Sequence, residues 1–197
     1  MMSVEPCILT GKIVRLEPLQ AKHADDLFVI GQERETWLYM PSNPCASRET
    51  LQQWIIDALL LQQSGGCLPF AIIDLATGRA IGSTRYLDIA PKDYRLEIGW
   101  TWLDPAVRRS GVNTECKYLL LKHAFDELKA IRMQLKTDSR NLRSQAAIER
   151  IGGIKEGILR NHMIMPDGYR RATVYYSILD SEWPAVKAQL EAKMNAY

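Results

Sequence analysis

Tyr94-Arg95-Leu96-Glu97-Ile98-Gly99-Trp100-Thr101-Trp102-Leu103-Asp104-Pro105 decides how the rest of this chain is read. Tyr94, Leu96, Ile98, Trp100 and Trp102 alternate with Arg95, Glu97, Gly99, Thr101 and Leu103, which is the period of a β-strand with one face toward a core. Asp104-Pro105 stops the strand, since proline has no amide to give to a ladder. A polar turn follows, Arg108-Arg109-Ser110-Gly111. Val112, Cys116, Leu120, Ala124 and Leu128 then recur every fourth residue, as on one face of a helix reaching about Leu128. Ile131, Met133, Leu135 and Thr137 restore the two-residue period. Strand, helix and strand in this order predict a parallel crossover.

Outward from this centre the chain divides into short elements. Toward the N-terminus, Lys12 to Leu16 reads as a strand and Ala21 to Gln32 and Arg34 to Tyr39 as helices, with a loop at Pro41–Pro44. Ser47 reads as an N-cap, its hydroxyl accepting from free amides of a helix whose buried face is Leu51, Trp54, Ile55, Ala58 and Leu59 and whose end is Gly65-Gly66. Leu68–Asp74 and Ala80–Asp88 are strands joined by a tight turn at Thr77-Gly78, hence antiparallel. Toward the C-terminus, Asn141 caps a short helix ending at Gly152-Gly153. Strands near Gly157–Met165 and Tyr169–Leu179 meet at Pro166-Asp167-Gly168, and a helix runs from Glu182 to about Met194. The fold class is α/β: a mixed sheet of about six to seven strands with helices on both faces, in a single domain over residues 1–197.

Composition narrows the functions. With 197 residues, 47% hydrophobic and 24% charged, the chain can bury a core without disulfides or metals. A net charge of +2, with interspersed signs, does not suggest direct nucleic-acid binding. Cys7, Cys45, Cys67 and Cys116 form no C-x-x-C pair, and His23, His123 and His162 are scattered, so no metal site is expected. No apolar run is long enough to span a membrane, and Met1–Pro6 does not read as a signal peptide. Free thiols then point to the cytoplasm.

Chemistry concentrates between Trp100 and Asn113. A helix N-terminus presents unpaired amides and a partial positive charge, which together suit a phosphate or pyrophosphate. Gly111 permits close approach of backbone to the ligand, and Arg108 and Arg109 add charge. Read without further context, the same segment is also an ordinary strand-to-helix connection.

Glu97–Pro105 followed by Arg108-Arg109-Ser110-Gly111-Val112-Asn113-Thr114-Glu115 resembles the acetyl-CoA motif of the GNAT acetyltransferase superfamily, R/Q-x-x-G-x-G/A, with Asn113 in place of the usual Gly or Ala. Asp138–Ser144 and Ala147–Gly153 are similar to its second cofactor segment, N-x-x-S/A, a short helix and a glycine, with Gly153 where Phe is usual. The branch most similar contains the ribosomal-protein N-terminal acetyltransferases. The resemblance implies acetyl-CoA as co-substrate without a metal. It implies an acceptor amine on a peptide N-terminus or small molecule, direct transfer in a ternary complex, and frequent homodimers. By resemblance, Trp102 and Leu103 contact pantetheine through their backbone. Arg108, Arg109, Ser110, Gly111, Val112, Asn113 and Thr114 hold the pyrophosphate, and Asn141 and Ser144 lie near the thioester end or the pantetheine. The family's recurrent acidic position is Glu97, the expected general base. The tyrosine that many members use to protonate the leaving thiolate is Ile148 here, leaving Ser144, a water or no acid at all. The other readings are a strand glutamate paired with Arg95 or Arg85, a plain N-cap at Asn141, a structural cysteine at position 116, an exposed strand histidine at 162, and a non-catalytic acyl-CoA sensor of the same fold.

Overall fold

A computed structural model describes residues 1–196; Tyr197, the last residue of the expected domain, lies outside the described residues. The strands are β1 (Leu9–Thr10), β2 (Val14–Pro18), β3 (Cys67–Asp74), β4 (Ala80–Ala90), β5 (Arg95–Leu103), β6 (Arg132–Asp138), β7 (Ile154–Ile164) and β8 (Arg170–Leu179). The helices are α1 (Ala24–Ile30), α2 (Arg34–Trp37), α3 (Arg48–Gln63), α4 (Val112–Lys122), α5 (Leu142–Arg150) and α6 (Trp183–Met194). The eight strands form one sheet in the order β1-β2-β3-β4-β5-β6-β8-β7. The expected count of six to seven is exceeded because a two-residue strand, β1, pairs with β2. Each neighbouring pair is antiparallel except β5–β6, which is parallel and bridged by α4.

Alternation divides the apolar side chains between two faces. Leu68, Phe70 and Ile72 of β3 join Val112, Cys116 and Leu120 of α4, Ile148 of α5 and Trp183 and Leu190 of α6 in one cluster. Ala71 and Ile73 turn the other way, to Leu27 of α1, Trp37 of α2 and Leu51, Ile55 and Ala58 of α3. Ser47 caps α3 as expected, accepting from the Thr50 amide at 3.1 Å. The helical stripe from Val112 continues to Ala124 through a π-helical turn at His123–Glu127. Every-fourth-residue spacing drifts by about 40° per step at 3.6 residues per turn, and a wider turn brings the stripe back toward the sheet.

The central strand departs from strict alternation. Trp100 has φ of 51° and the β4–β5 register slips between Ser83/Trp102 and Arg85/Gly99, so Thr84 alone stands opposite two residues. This bulge reverses the facing of everything after it. Leu96 and Ile98 face the α4 side, while Trp102 packs in the other cluster with its ring centroid 4.9 Å from that of Trp37.

Candidate functional site

β5 and β6 pair where Arg95, Leu96 and Glu97 face Arg132, Met133 and Gln134, preceded by a bond from the Ile131 amide to the Tyr94 carbonyl, and their ladder ends at Glu97 and Gln134. Beyond that point β6 continues beside β8 to Asp138, and β5 continues beside β4, with Trp102 facing Ser83 and Leu103 facing Gly82. The parallel strands therefore splay, and the β5 backbone from Ile98 to Leu103 turns an unladdered edge toward the gap. Such an edge offers amides and carbonyls to an extended ligand.

The mouth of the gap is the turn into α4. Asp104 Oδ1 accepts from the Ala106 amide at 2.9 Å, and Ser110 Oγ donates to the Val107 carbonyl at 2.6 Å and accepts from the Val112 amide at 3.3 Å. The left-handed residue of this turn is Arg109, with φ of 62°. Helix geometry leaves the amides of Gly111, Asn113 and Thr114 without intrahelical acceptors. Arg109 and Ser110 are exposed and Asn113 is half-buried. Arg108 is engaged elsewhere: its Nη2 pairs with the Glu33 carboxylate and donates to Thr36 Oγ1 at 2.8 Å, tying the turn to α2. The side of the helix is anchored by Glu115, whose carboxylate accepts from the amides of Lys12, Ile13 and Val14 at 2.7–2.8 Å. Thr114 Oγ1 accepts from Arg150 at 2.8 Å.

Across the gap, β6 ends at Asp138 and Asn141 begins α5, its Oδ1 accepting from the Ser144 amide at 3.0 Å. Asn141 is thus an N-cap, and Ser144 is half-buried one turn on. Ile148 packs into the core.

Glu97 is 1% exposed and lies opposite the Leu96/Ile98 face. Its Oε2 accepts from Gln134 Nε2 at 2.8 Å and pairs with Lys136 Nζ at 3.0 Å. The arginines considered as partners are occupied otherwise: Arg95 binds Asp88 and Arg85 sits between Trp54 and Trp100. Gly99 keeps space beside the carboxylate, since a Cβ there would lie 2.9 Å from Glu97 Oε1. On the same polar face, His162, exposed as its strand position suggests, bonds Thr173 Oγ1 at 3.0 Å and Tyr175 OH at 3.3 Å. Desolvation and the neighbouring Lys136 and Arg171 push its pKa down, against Glu97, which acts the other way, so the ring is neutral at physiological pH. An open cleft of about 250 Å³ adjoins Arg140, between the segment from Trp37 to Asn43 and the turn at Met165–Asp167.

Gln134 and Lys136 escaped the sequence reading, although they occupy the positions of β6 opposite Met133 and Leu135 and the parallel pairing sets Gln134 beside Glu97. Lys117 escaped it too. It is 6% exposed, donates to Thr101 Oγ1 at 2.5 Å, and burial pushes its pKa down to about 8. Cys116 next to it is wholly buried, with its thiol pushed up to about 11 by burial, which makes it a packing residue and a poor nucleophile.

The family model described as "Acetyltransferase (GNAT) domain" matches residues 14–154. YdaF of Bacillus subtilis is 29% identical over 175 residues, covering 87% of this chain and 92% of that protein. The ribosomal-protein-serine acetyltransferase of Escherichia coli is 25% identical over 178 residues, covering 89% and 98%. The crystal structure of a GCN5-related N-acetyltransferase from Brucella melitensis superposes with a TM-score of 0.90 at 35% identity, covering 97% of this chain and 86% of that one.

Proposed function

This chain belongs to the GNAT acetyltransferase family and is an acetyltransferase; on that premise we propose that it moves the acetyl group of acetyl-CoA directly to a primary amine. One domain over residues 1–197, working in the cytoplasm, carries the reaction. A protein N-terminus is the first acceptor class to test, because the E. coli relative is named for a ribosomal-protein serine. The observation that carries the reading is the early end of the β5–β6 ladder directly below a helix N-terminus. The pyrophosphate is held by the amides from Arg109 to Thr114, and Arg109 supplies the mobile cation because Arg108 is bound to Glu33. Pantetheine lies along the open edge of Trp102 and Leu103, and Asn141 and Ser144 border the thioester end.

An acceptor amine must lose its proton to attack: a lysine-type amine titrates at about 10.4 and an α-amine at about 7.7–8.0. Glu97 takes that proton, and Gln134 and Lys136 hold its carboxylate in place. The carbonyl oxygen gains charge as the amine adds and needs a donor aimed at it. With Ile148 in the core, the departing thiolate takes its proton from the Ser144 hydroxyl or from water.

Thermal melts with acetyl-CoA, CoA, ATP and NAD test this. A ligand bound only by the folded chain raises Tm as RT ln(1 + [L]/Kd). A shift with both CoA species, and thiol release when an amine is added, is the expected result. A shift without thiol release for any amine would mean a CoA-binding sensor, and no shift at millimolar CoA would overturn the assignment.

A further inference from the structure

Arg85 lies on β4, on the same side of the sheet as the proposed base. In the β4–β5 ladder Leu87 faces Glu97 and Arg85 faces Gly99, so Arg85 and Glu97 are diagonal neighbours on one side of the sheet. Diagonal neighbours in such a ladder stand roughly 7–8 Å apart. Arg85 is 6% exposed, and its guanidinium carbon lies 4.1 Å from the Trp54 ring centroid, on α3, and 5.5 Å from that of Trp100, at the bulge of β5.

Other buried charges near the gap have polar partners. Glu97 has Gln134 and Lys136, Glu115 has three amides, Asp138 has Arg140, and Arg171 has Thr173 and the Tyr39 carbonyl. Arg85 differs: its Nε and Nη2 are buried without a hydrogen-bond partner. These two nitrogens form the edge of the guanidinium whose parallel N–H bonds grip a carboxylate in a bidentate fork. A buried cation with unmet donors is costly to the fold, and the indole faces answer its charge without answering its N–H groups. Burial lowers its pKa to about 10, which leaves it charged at neutral pH.

We propose that Arg85 recognises a carboxylate carried by the acceptor itself, held on the Nε/Nη2 edge while the acceptor's amine is presented to Glu97. Trp54 and Trp100 form the walls of this subsite, and because both are only half-buried, one of them swings aside to admit the ligand. The acceptor class is then an amine with a carboxylate a few bonds away: a free α-amino acid, or a chain whose first residue is acidic. This inference rests on the reading of the Glu97 face as the acceptor site.

The test uses amine pairs that differ in the carboxylate, with each rate referred to the concentration of neutral amine: glycine against glycinamide for a free amino acid, and Asp-Ala-Ala against Asn-Ala-Ala for an acidic N-terminus. With saturating acetyl-CoA, thiol release is expected to give a kcat/KM at least tenfold higher for the carboxylate member of one pair, and that pair identifies the source. Arg85→Met is expected to bring the ratio close to one. In melts, the preferred carboxylate compound raises the Tm of the wild-type protein and not of Arg85→Met, whereas CoA shifts both; this arm decides alone if no amine turns over. Methionine in place of an unpaired buried cation is expected to hold or raise the Tm of the free protein. A ratio near one for both pairs in the wild type, a ratio that survives Arg85→Met, or a fall of several degrees in that variant's Tm would each overturn the proposal. Failure of CoA to shift the wild-type Tm would instead overturn the acetyl-transfer assignment beneath it.

Discussion

Glu97 and Lys117 are both buried and face opposite sides of β5, with opposite consequences. Glu97 is held by two donors on one oxygen, beside the space that Gly99 leaves open. Glu97→Gln keeps the shape and removes the proposed base. We expect kcat/KM to fall by roughly 10²–10⁴-fold, with the acetyl-CoA shift in Tm retained; an unchanged rate would remove Glu97 from the mechanism. Lys117 offers its ammonium to one hydroxyl, Thr101 Oγ1, which also bonds Thr84 Oγ1 at 2.8 Å. Its folded pKa of about 8 lies below the ordinary 10.5, so between these values the unfolded chain holds a proton that the folded one has released. Stability must therefore rise with pH across that window, and the charged form costs the fold on the order of 3 kcal/mol below it. Lys117→Met is expected to be the more stable protein at pH 7, with its advantage shrinking toward pH 10.5. Urea melts of both proteins at the two pH values check this, and an advantage independent of pH would contradict it.

Among elements, α4 and the β4–β5 ladder set the gap. Glu115 joins the first turn of α4 to the start of β2 by accepting three amides, and a glutamine there has one acceptor oxygen and turns an NH₂ toward donors. Glu115→Gln is expected to cost about 2 kcal/mol in urea melts; a loss below about 0.5 kcal/mol would show that water can serve those amides. On β4, a Cβ at Gly82 would come within 2.4 Å of the Trp102 carbonyl oxygen and 3.1 Å of Leu103 Cα, backbone atoms that cannot swing away. Gly82→Ala must push β5 aside along the proposed pantetheine edge. The expected outcome is a loss of about 1–3 kcal/mol with a weakened acetyl-CoA shift, and calorimetric titration with unchanged affinity would argue against that edge as the binding surface.

At the scale of the whole molecule, helices cover both faces of the sheet at its β2–β5 end, but the β7 end stands bare. β7 is the last strand in the sheet, and it leaves Ile154, Ile158, Leu159 and Ile164 between 48% and 79% exposed. An unpaired edge carrying large apolar side chains invites pairing with a second copy. Sedimentation should show concentration-dependent association that Leu159→Lys weakens; a monomer at all concentrations would contradict this. Among the described residues no helix is long and apolar enough to cross a membrane.

What the sequence determined by itself was whatever depends on neighbours along the chain. The two-residue period located the strands, the four-residue stripe located α4, Ser47 and Asn141 declared their caps, and strand-helix-strand order required the parallel pair. The motif from Glu97 to Glu115 and the second segment from Asp138 to Gly153, taken in order, carried the family for the same reason, each being contiguous along the chain. Tertiary structure decided the rest. Trp102 changed faces because one bulge at Trp100 shifts a register that no local pattern records. Arg108 turned to Glu33, and Glu97 found Lys136, because those partners lie far along the chain and meet only when the sheet forms. The splay of β5 from β6 depends on where their ladder stops, and this is set by the neighbours that each strand keeps on its other side.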